Sequence, residues 1–172
     1  MKKLISLFAA IVLVSGLTST AKAQTQGVTT TATGSATIVT TLAIAKSADM
    51  NFGSIAVNAT AGTVVLLPAG TRSATGGVTL QGTGTGVAAA AFNVTGLNNA
   101  TYTITLPSTY TISDGSSHSM TVNNFTSTPS TTGALSTSGA QTIKVGATLN
   151  VGASQVAGTY TAAGFPVTVN YN

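Results

Sequence analysis

The sequence predicts an all-β fold, an antiparallel sandwich of about ten strands, and three observations carry that prediction. Apolar and hydroxyl residues alternate in run after run, which is the period of a half-buried strand. Gly, Pro, Asn and Asp separate those runs. No segment beyond the N-terminal apolar stretch combines helical periodicity with helix caps. Short strands with frequent turn signals indicate an immunoglobulin-like sandwich, with a single sheet closed on itself as the alternative.

Residues 1–23 are predicted to be a signal peptide. Lys2 and Lys3 precede an apolar run over residues 4–17, which is too short to span a membrane. Ala21 and Ala23 then fit the small-residue cleavage rule. We therefore expect a secreted protein that crosses the periplasm to the cell surface or medium, with no membrane span in the mature chain. A retained interfacial anchor is the alternative. The expected organisation is an N-terminal extension over residues 24–36 and one sandwich domain over residues 37–172.

The first predicted strand, residues 32–44, is unusually long. At ~3.3 Å per residue it extends roughly 40 Å, about twice a typical strand. Such a run could serve two sheets, with residues 38–44 in the chain's own sheet and residues 28–36 added to a groove of a second copy. The candidate donor-strand contacts are Val28, Ala32, Gly34, Ala36 and Ile38. A frayed terminus over residues 25–35, or a strand bent at Gly34 within one molecule, is the alternative.

The remaining strands follow in order, separated by turn signals. They are predicted at residues 50–57, 63–67, 78–81, 87–95, 100–106, 119–125, 141–151, 159–161 and 165–171. Turns or loops are predicted at residues 70–77, which carry Arg72, at the hairpin signal Asp114-Gly115, and at residues 127–139. The clearest alternation places Ile143, Val145, Ala147, Leu149 and Val151 on one face.

Charge and cysteine content argue against several functions. Beyond the signal peptide, Lys46, Arg72 and Lys144 stand against Asp49 and Asp114, which leaves a net charge of +1. Without a basic patch, nucleic acid is not an expected partner. One histidine and no cysteine leave no zinc ligand set of those residue types, and we expect neither a metal nor a cofactor. Disulfides are absent, so stability must come from packing and sheet hydrogen bonds.

Candidate catalytic chemistry is confined to one turn, D-G-S-S-H, which contains Asp114, Ser116, Ser117 and His118. A nucleophile and base need a rigid scaffold and oxyanion donors. A hairpin tip supplies neither, so the chain is not expected to be an enzyme. Aromatic chemistry is equally limited. The four tyrosines, Tyr102, Tyr110, Tyr160 and Tyr171, could form a sugar-binding platform. Strand-like contexts favour packing for all of them except Tyr110.

Several segments resemble a bacterial family of secreted proteins. They are M-N-F-G-S-I, G-T-V-V-L-L-P-A-G-T, G-V-T-L, Y-T-I-T-L-P and the terminal G-T-Y-T-A-A-G-F-P-V-T-V-N-Y-N. The family is catalogued as domain of unknown function 4402, and its layout is similar to spore-coat-U and archaic chaperone–usher pilin domains. Those pilins are incomplete sandwiches that the N-terminal strand of the next subunit completes. The resemblance implies a surface fibre, a homopolymer joined through the N-terminal strand, and a secretion chaperone as a partner.

Two functions are therefore expected from the sequence. The first is a structural subunit of an extracellular filament or surface layer that assembles by β-strand addition. The second is a monomeric secreted adhesin or carbohydrate-binding module, in which the long first strand pairs within its own chain.

Overall fold

The computed structural model describes residues 27–82 and 86–172, so the predicted signal peptide lies outside the described residues. The chain divides into two units, residues 1–37 and residues 38–172. Within the first unit, residues 27–37 form no strand and every residue is exposed, including Val28 at 96%. All the strands lie in the second unit.

The described residues contain ten strands and no helix, as the alternation predicts. The strands are β1 Ala43–Ala48, β2 Ile55–Leu66, β3 Arg72–Leu80, β4 Ala90–Thr95, β5 Thr101–Thr105, β6 Thr109–Ser113, β7 Ser119–Thr128, β8 Thr132–Ala134, β9 Ala140–Val151 and β10 Thr168–Tyr171. Seven of them form one sheet, in which β1, β4, β9, β2 and β3 are neighbours in that order and β7 joins β9 to β6. The other sheet has the order β10-β5-β8, and every pairing is antiparallel.

Strand β9 organises the large sheet because its two halves have different neighbours. Its first half pairs with β4 and its second half with β2. Lys144 and Val145 also pair with β7, as do Thr148, Leu149 and Asn150. Strand β7 therefore occupies one edge of β9 while β4 and β2 share the other. The strand needs its full length to serve both neighbours, and its alternation buries one face throughout.

Two clusters of buried side chains make up the core. The first lies between the sheets: Phe92, Val94 and Ile143 of the large sheet pack with Tyr102 and Ile104 of the small one. The second cluster is built differently, since all seven of its buried residues belong to the large sheet: Val64, Val78, Met120, Val122, Ala147, Leu149 and Val151. The chain is thus an antiparallel β-sandwich in which the second sheet backs only one of the two clusters.

The prediction of one strand over residues 32–44 is wrong. Strand β1 begins at Ala43, and residues 27–42 form no strand. The expected place of residues 38–44 in the chain's own sheet holds only for Ala43 and Ile44, which pair with β4, while Ile38 is 97% exposed. Alternation gives a segment a strand-like face, but a strand also needs a neighbouring backbone to satisfy its N–H and C=O groups.

Several other boundaries differ from the predictions: residues 58–62, expected between two strands, lie inside β2, and β6 was not among the predicted strands. Residues 50–54 precede β2 and form only an isolated bridge at Asn51, because Gly53 adopts a φ of +71°. The expected turn at residues 70–77 is wrong, since Arg72 begins β3 and the turn lies just before it. Residues 127–139 are not one loop, because they hold the end of β7 and all of β8. Residues 159–167 form only a bridge at Thr161, and β10 begins at Thr168.

Candidate functional site

The second core cluster lies beneath an open groove. Two stretches of non-strand backbone border it: flank one, residues 49–54, and flank two, residues 158–165. The floor is formed by the inward face of three strands, with Tyr110 and Ile112 from β6, Met120 and Val122 from β7, and Leu149 from β9. The cavity has a volume of about 780 Å³. Loops, not a second sheet, therefore cover this part of the core.

A second hollow of about 490 Å³ continues the groove towards β4. It shares Met50 and Phe165 with the first hollow and reaches Ala90 and Phe92. Phe165 divides the two, because its ring centroid lies 5.0 Å from that of Phe125, 6.0 Å from Tyr110 and 6.2 Å from Phe92. Phe165 and the rings packed against it therefore lie where the two hollows meet.

Flank one is held by Arg72, the first residue of β3. The guanidinium Nη1 donates to the carbonyls of Phe52 and Ser54, the latter at 3.1 Å, and Nη2 donates to Gln81 O at 2.9 Å. The backbone wraps so closely that a Cβ on Gly53 would lie 2.8 Å from Nη1. Three carbonyls thus converge on one planar cation, and this geometry suits arginine better than lysine.

Flank two is attached to the free edge of β6. Ser113 and Thr161 exchange both backbone hydrogen bonds, at 2.9 and 2.8 Å, and the amide of Gly164 donates to the Tyr110 hydroxyl at 2.6 Å. Thr161 and the three residues after it are nonetheless exposed. No backbone hydrogen bond joins the two flanks among the described residues. Flank one is therefore held by Arg72 and flank two by β6, including the floor residue Tyr110, and no backbone pairing bridges the space between them.

Replacing Tyr110 with Phe tests the attachment of flank two. The ring stays against Phe165, but the Gly164 amide loses its acceptor. We expect the unfolding free energy to fall by about 1 kcal/mol. Amide exchange in residues 158–165 should quicken, measured by mass spectrometry. Tyr160→Phe is the matched control, because the Tyr160 hydroxyl bonds only within residues 155–160. Equal exchange at Gly164 in the two variants would contradict this assignment.

The groove carries almost no charge. Lys46 and Asp49 are the charged residues of its lining, and their Nζ and Oδ1 atoms lie 2.5 Å apart at the exposed mouth. This is the surface pair that the sequence suggests, and such pairs contribute little to stability. The remaining lining is apolar or uncharged. A ligand suited to this groove is therefore an uncharged segment with apolar side chains.

The candidate contact residues from the sequence all lie outside the strands. Val28, Ala32, Gly34, Ala36 and Ile38 are exposed, and Val28 and Ile38 are among the most exposed large apolar side chains of the described residues. Residues 28–38 contain no charged side chain. We call this segment the arm. The structure does not test whether these five residues contact another copy.

The residues of the D-G-S-S-H turn do come together, at the tip of the β6–β7 hairpin. The His118 Nδ1 atom lies 2.7 Å from Asp114 Oδ2, and the Ser116 amide donates to Asp114 Oδ1 at 2.8 Å. The His118 hydrogen bond, followed by that of the Ser116 amide, lowers the pKa of Asp114 below its ordinary value of 3.8. These contacts make an Asx-type turn with a histidine partner.

The lowered pKa predicts an acid sensitivity. A carboxyl group whose pKa is lower in the folded state stabilises the fold above its unfolded pKa, and that stabilisation is lost as the pH falls through the folded value. We expect the melting temperature to decrease as the pH is lowered below about 4. The Asp114→Asn variant should show a smaller decrease. Thermal unfolding between pH 7 and pH 2 measures it, with Asp49→Asn as the control. An equally reduced decrease in both variants would contradict the assignment to Asp114.

The tyrosines are engaged inside the protein. Tyr102 is fully buried, which raises its pKa, and its hydroxyl donates to Gln141 Oε1 at 2.6 Å. Tyr171 is half-buried, and its hydroxyl bonds Leu97 N and Thr40 O. Packing is thus confirmed for Tyr102, which cannot belong to an exposed sugar-binding platform.

Sequence reasoning missed the residues that shape the groove. Arg72 was assigned to a turn, and Phe165 was assigned to a strand. One signal was available: Arg72 is an isolated cation in a nearly uncharged chain, and such a cation needs several oxygen partners when it is partly buried. No corresponding signal marks Phe165.

Two further features, a metal-binding cluster and a membrane-spanning helix, are absent from the described residues. No group of three or more His, Cys, Asp or Glu side chains that could hold a metal ion occurs in residues 27–82 and 86–172. No helix in the same ranges is long and apolar enough to cross a membrane.

The comparisons with known proteins give one positive result. The profile of a family described as "Domain of unknown function (DUF4402)" matches residues 42–171, a range that contains all ten strands and both flanks of the groove. No curated protein and no solved structure matches the chain. The similarity to spore-coat-U and pilin domains therefore stays a prediction. Because the match covers most of its length, the chain belongs to the DUF4402 family.

Proposed function

We propose that this protein is the structural subunit of an extracellular filament or surface layer, in which the arm of one copy fills the groove of the next. The observation that carries the proposal is the second core cluster, which the large sheet supplies and no second sheet covers. A strand laid between the flanks would complete it. The exposed arm is the segment of this chain with the chemistry to do so.

Backbone complementarity supports a strand as the occupant. Both flanks are non-helical backbone outside the strands, and no backbone hydrogen bond joins them to each other in the described residues. An inserted strand presents N–H and C=O groups on both of its edges, so it can pair with each flank. At ~3.3 Å per residue the eight residues of flank two span at most about 26 Å, and the eleven residues of the arm would span about 36 Å as a strand. The arm is therefore long enough to fill the groove.

Side-chain size supports the arm as that strand. Read at every second residue, one face of the arm carries Val28 and Ile38 near its ends and Ala32, Gly34 and Ala36 between them. The groove consists of two hollows that share Phe165 in their lining. In this proposal the small side chains lie beside the Phe165 ring and the larger ones enter the two hollows. Neither partner carries an unpaired charge, so docking leaves no ion without water or a counter-ion.

This arrangement produces an open polymer. The arm and the groove are different surfaces, so the contact is heterologous, and a heterologous contact that does not close into a ring grows a filament. Secretion and a cell-surface location belong to the same proposal.

Electron microscopy of material sheared from cells that express the protein natively tests the proposal. We expect filaments or an ordered layer that antibodies against this protein decorate. Only dispersed monomers in both the sheared and the secreted fractions would contradict it. A glycan array with the purified chain examines the alternative of a carbohydrate-binding module, which predicts glycan binding by a monomer.

A further inference from the structure

We propose that Arg72 is a positioning residue that holds flank one in the shape that admits the arm. This inference rests on the proposed function, since it names the side chain that keeps the acceptor groove open. Arg72 does not line the groove itself. It acts through the carbonyls of Phe52 and Ser54, to which its Nη1 atom donates.

The local geometry leaves flank one few other supports. On the side away from the groove, Asn51 forms an isolated bridge with Ala88, and Gln81 N donates to Ser54 O at 3.0 Å. Gly53 has a φ of +71°, a conformation that glycine adopts without strain and that turns the neighbouring carbonyls towards the guanidinium. Among the described residues, no carboxylate forms an ion pair with Arg72. The cation is therefore satisfied by backbone carbonyls.

The hydrogen bonds from Arg72 to the Phe52 and Ser54 carbonyls, which we call the clamp, control the position of the Phe52 side chain. It is partly buried, packs against the second core cluster, and lines the groove. Without the guanidinium, the Phe52 carbonyl loses its donor while the Ser54 carbonyl keeps only Gln81 N, and the flank is free to fold inward. Phe52, which is only partly buried against the second core cluster, can then bury more of its ring, because burying apolar surface is favourable. The clamp thus prevents the groove from being filled by its own wall.

Mixing two variants of the exported chain distinguishes a groove that cannot receive an arm from a domain that has lost its fold. Arg72→Met keeps the arm but loses the clamp. The double variant Ala32→Asp, Ala36→Asp keeps the clamp but has a charged arm. We expect neither variant to form filaments alone, and their mixture to form one-to-one heterodimers, detected by size-exclusion chromatography with light scattering. Lys144→Met, an equal loss of charge at an exposed position of β9, should still form filaments.

Two results would overturn the inference: filaments of Arg72→Met at the wild-type rate, or failure of that variant to donate its arm in the mixture. Arg72→Lys should show an intermediate defect, because one ammonium group cannot reproduce the planar fork. If the wild-type chain itself forms no filaments, the proposed function fails, and amide exchange examines the clamp separately. We then expect exchange in residues 50–55 to be about tenfold faster in Arg72→Met with β9 unchanged, and equal exchange would reject the clamp.

Discussion

Charging the inward face of the arm should abolish assembly. In the double variant Ala32→Asp, Ala36→Asp, two carboxylates would enter an apolar groove whose lining cation, Lys46, is already paired with Asp49 at the exposed mouth. An uncompensated buried charge costs about 3 kcal/mol or more, and every 1.4 kcal/mol is a factor of about ten in affinity. We therefore expect an association constant at least about a hundredfold lower. Filament yield and analytical ultracentrifugation of the exported chain measure it.

The opposite face of the arm provides the matched control. Thr33→Asp with Thr37→Asp adds the same two charges at the same spacing, but alternation turns these side chains away from the groove. This variant should assemble nearly as well as the wild type at moderate salt. Equal loss of assembly in both double variants would mean that net charge, and not one face of a strand, controls the association.

Truncating Ile143 should cause a large loss of stability. Its side chain is fully buried in the first core cluster, at a position of β9 that pairs with Phe92 of β4. Replacing a buried Ile with Ala removes contacts and leaves a cavity, which costs about 2–5 kcal/mol. For a chain of this length that loss corresponds to a melting temperature lower by roughly 5–15 °C. Urea unfolding in the charged-arm background, where the chain stays monomeric, gives the free energy.

Thr142→Ala is the control for that measurement. Thr142 is the preceding residue of β9 and is exposed, and its hydroxyl donates to Asn93 Oδ1 at 3.1 Å on the surface. Its loss should cost no more than about 0.5 kcal/mol. Comparable losses for the two substitutions would contradict the assignment of alternate β9 residues to core and solvent.

The sequence was sufficient to predict the strand with the longest regular alternation and the position of one hairpin turn. Strand β9 alternates over its whole length, and the structure buries Ile143, Val145, Ala147, Leu149 and Val151 as expected. The turn signal Asp114-Gly115 likewise joins a real hairpin, β6–β7. At β9 the local pattern and the tertiary pairing agree, so period-two alternation is enough, whereas β6 was not predicted as a strand.

The sequence was not sufficient where alternation lacks a partner. The arm and residues 165–167 have strand-like patterns, yet neither forms a strand in the described residues. Pairing depends on which backbone lies alongside, and that information is not local. The groove could not be predicted either. It depends on the change of neighbour along β9 from β4 to β2, and on the contact between Arg72 and Ser54, which are eighteen residues apart in the sequence.

Cryo-electron microscopy of filaments assembled from the exported chain tests the central claim most directly. The account predicts continuous density for residues 28–38 of one copy as a strand between residues 49–54 and 158–165 of the next, with Ala32, Gly34 and Ala36 facing Phe165. Filaments whose grooves are empty, or are filled by the arm of the same copy, would contradict it.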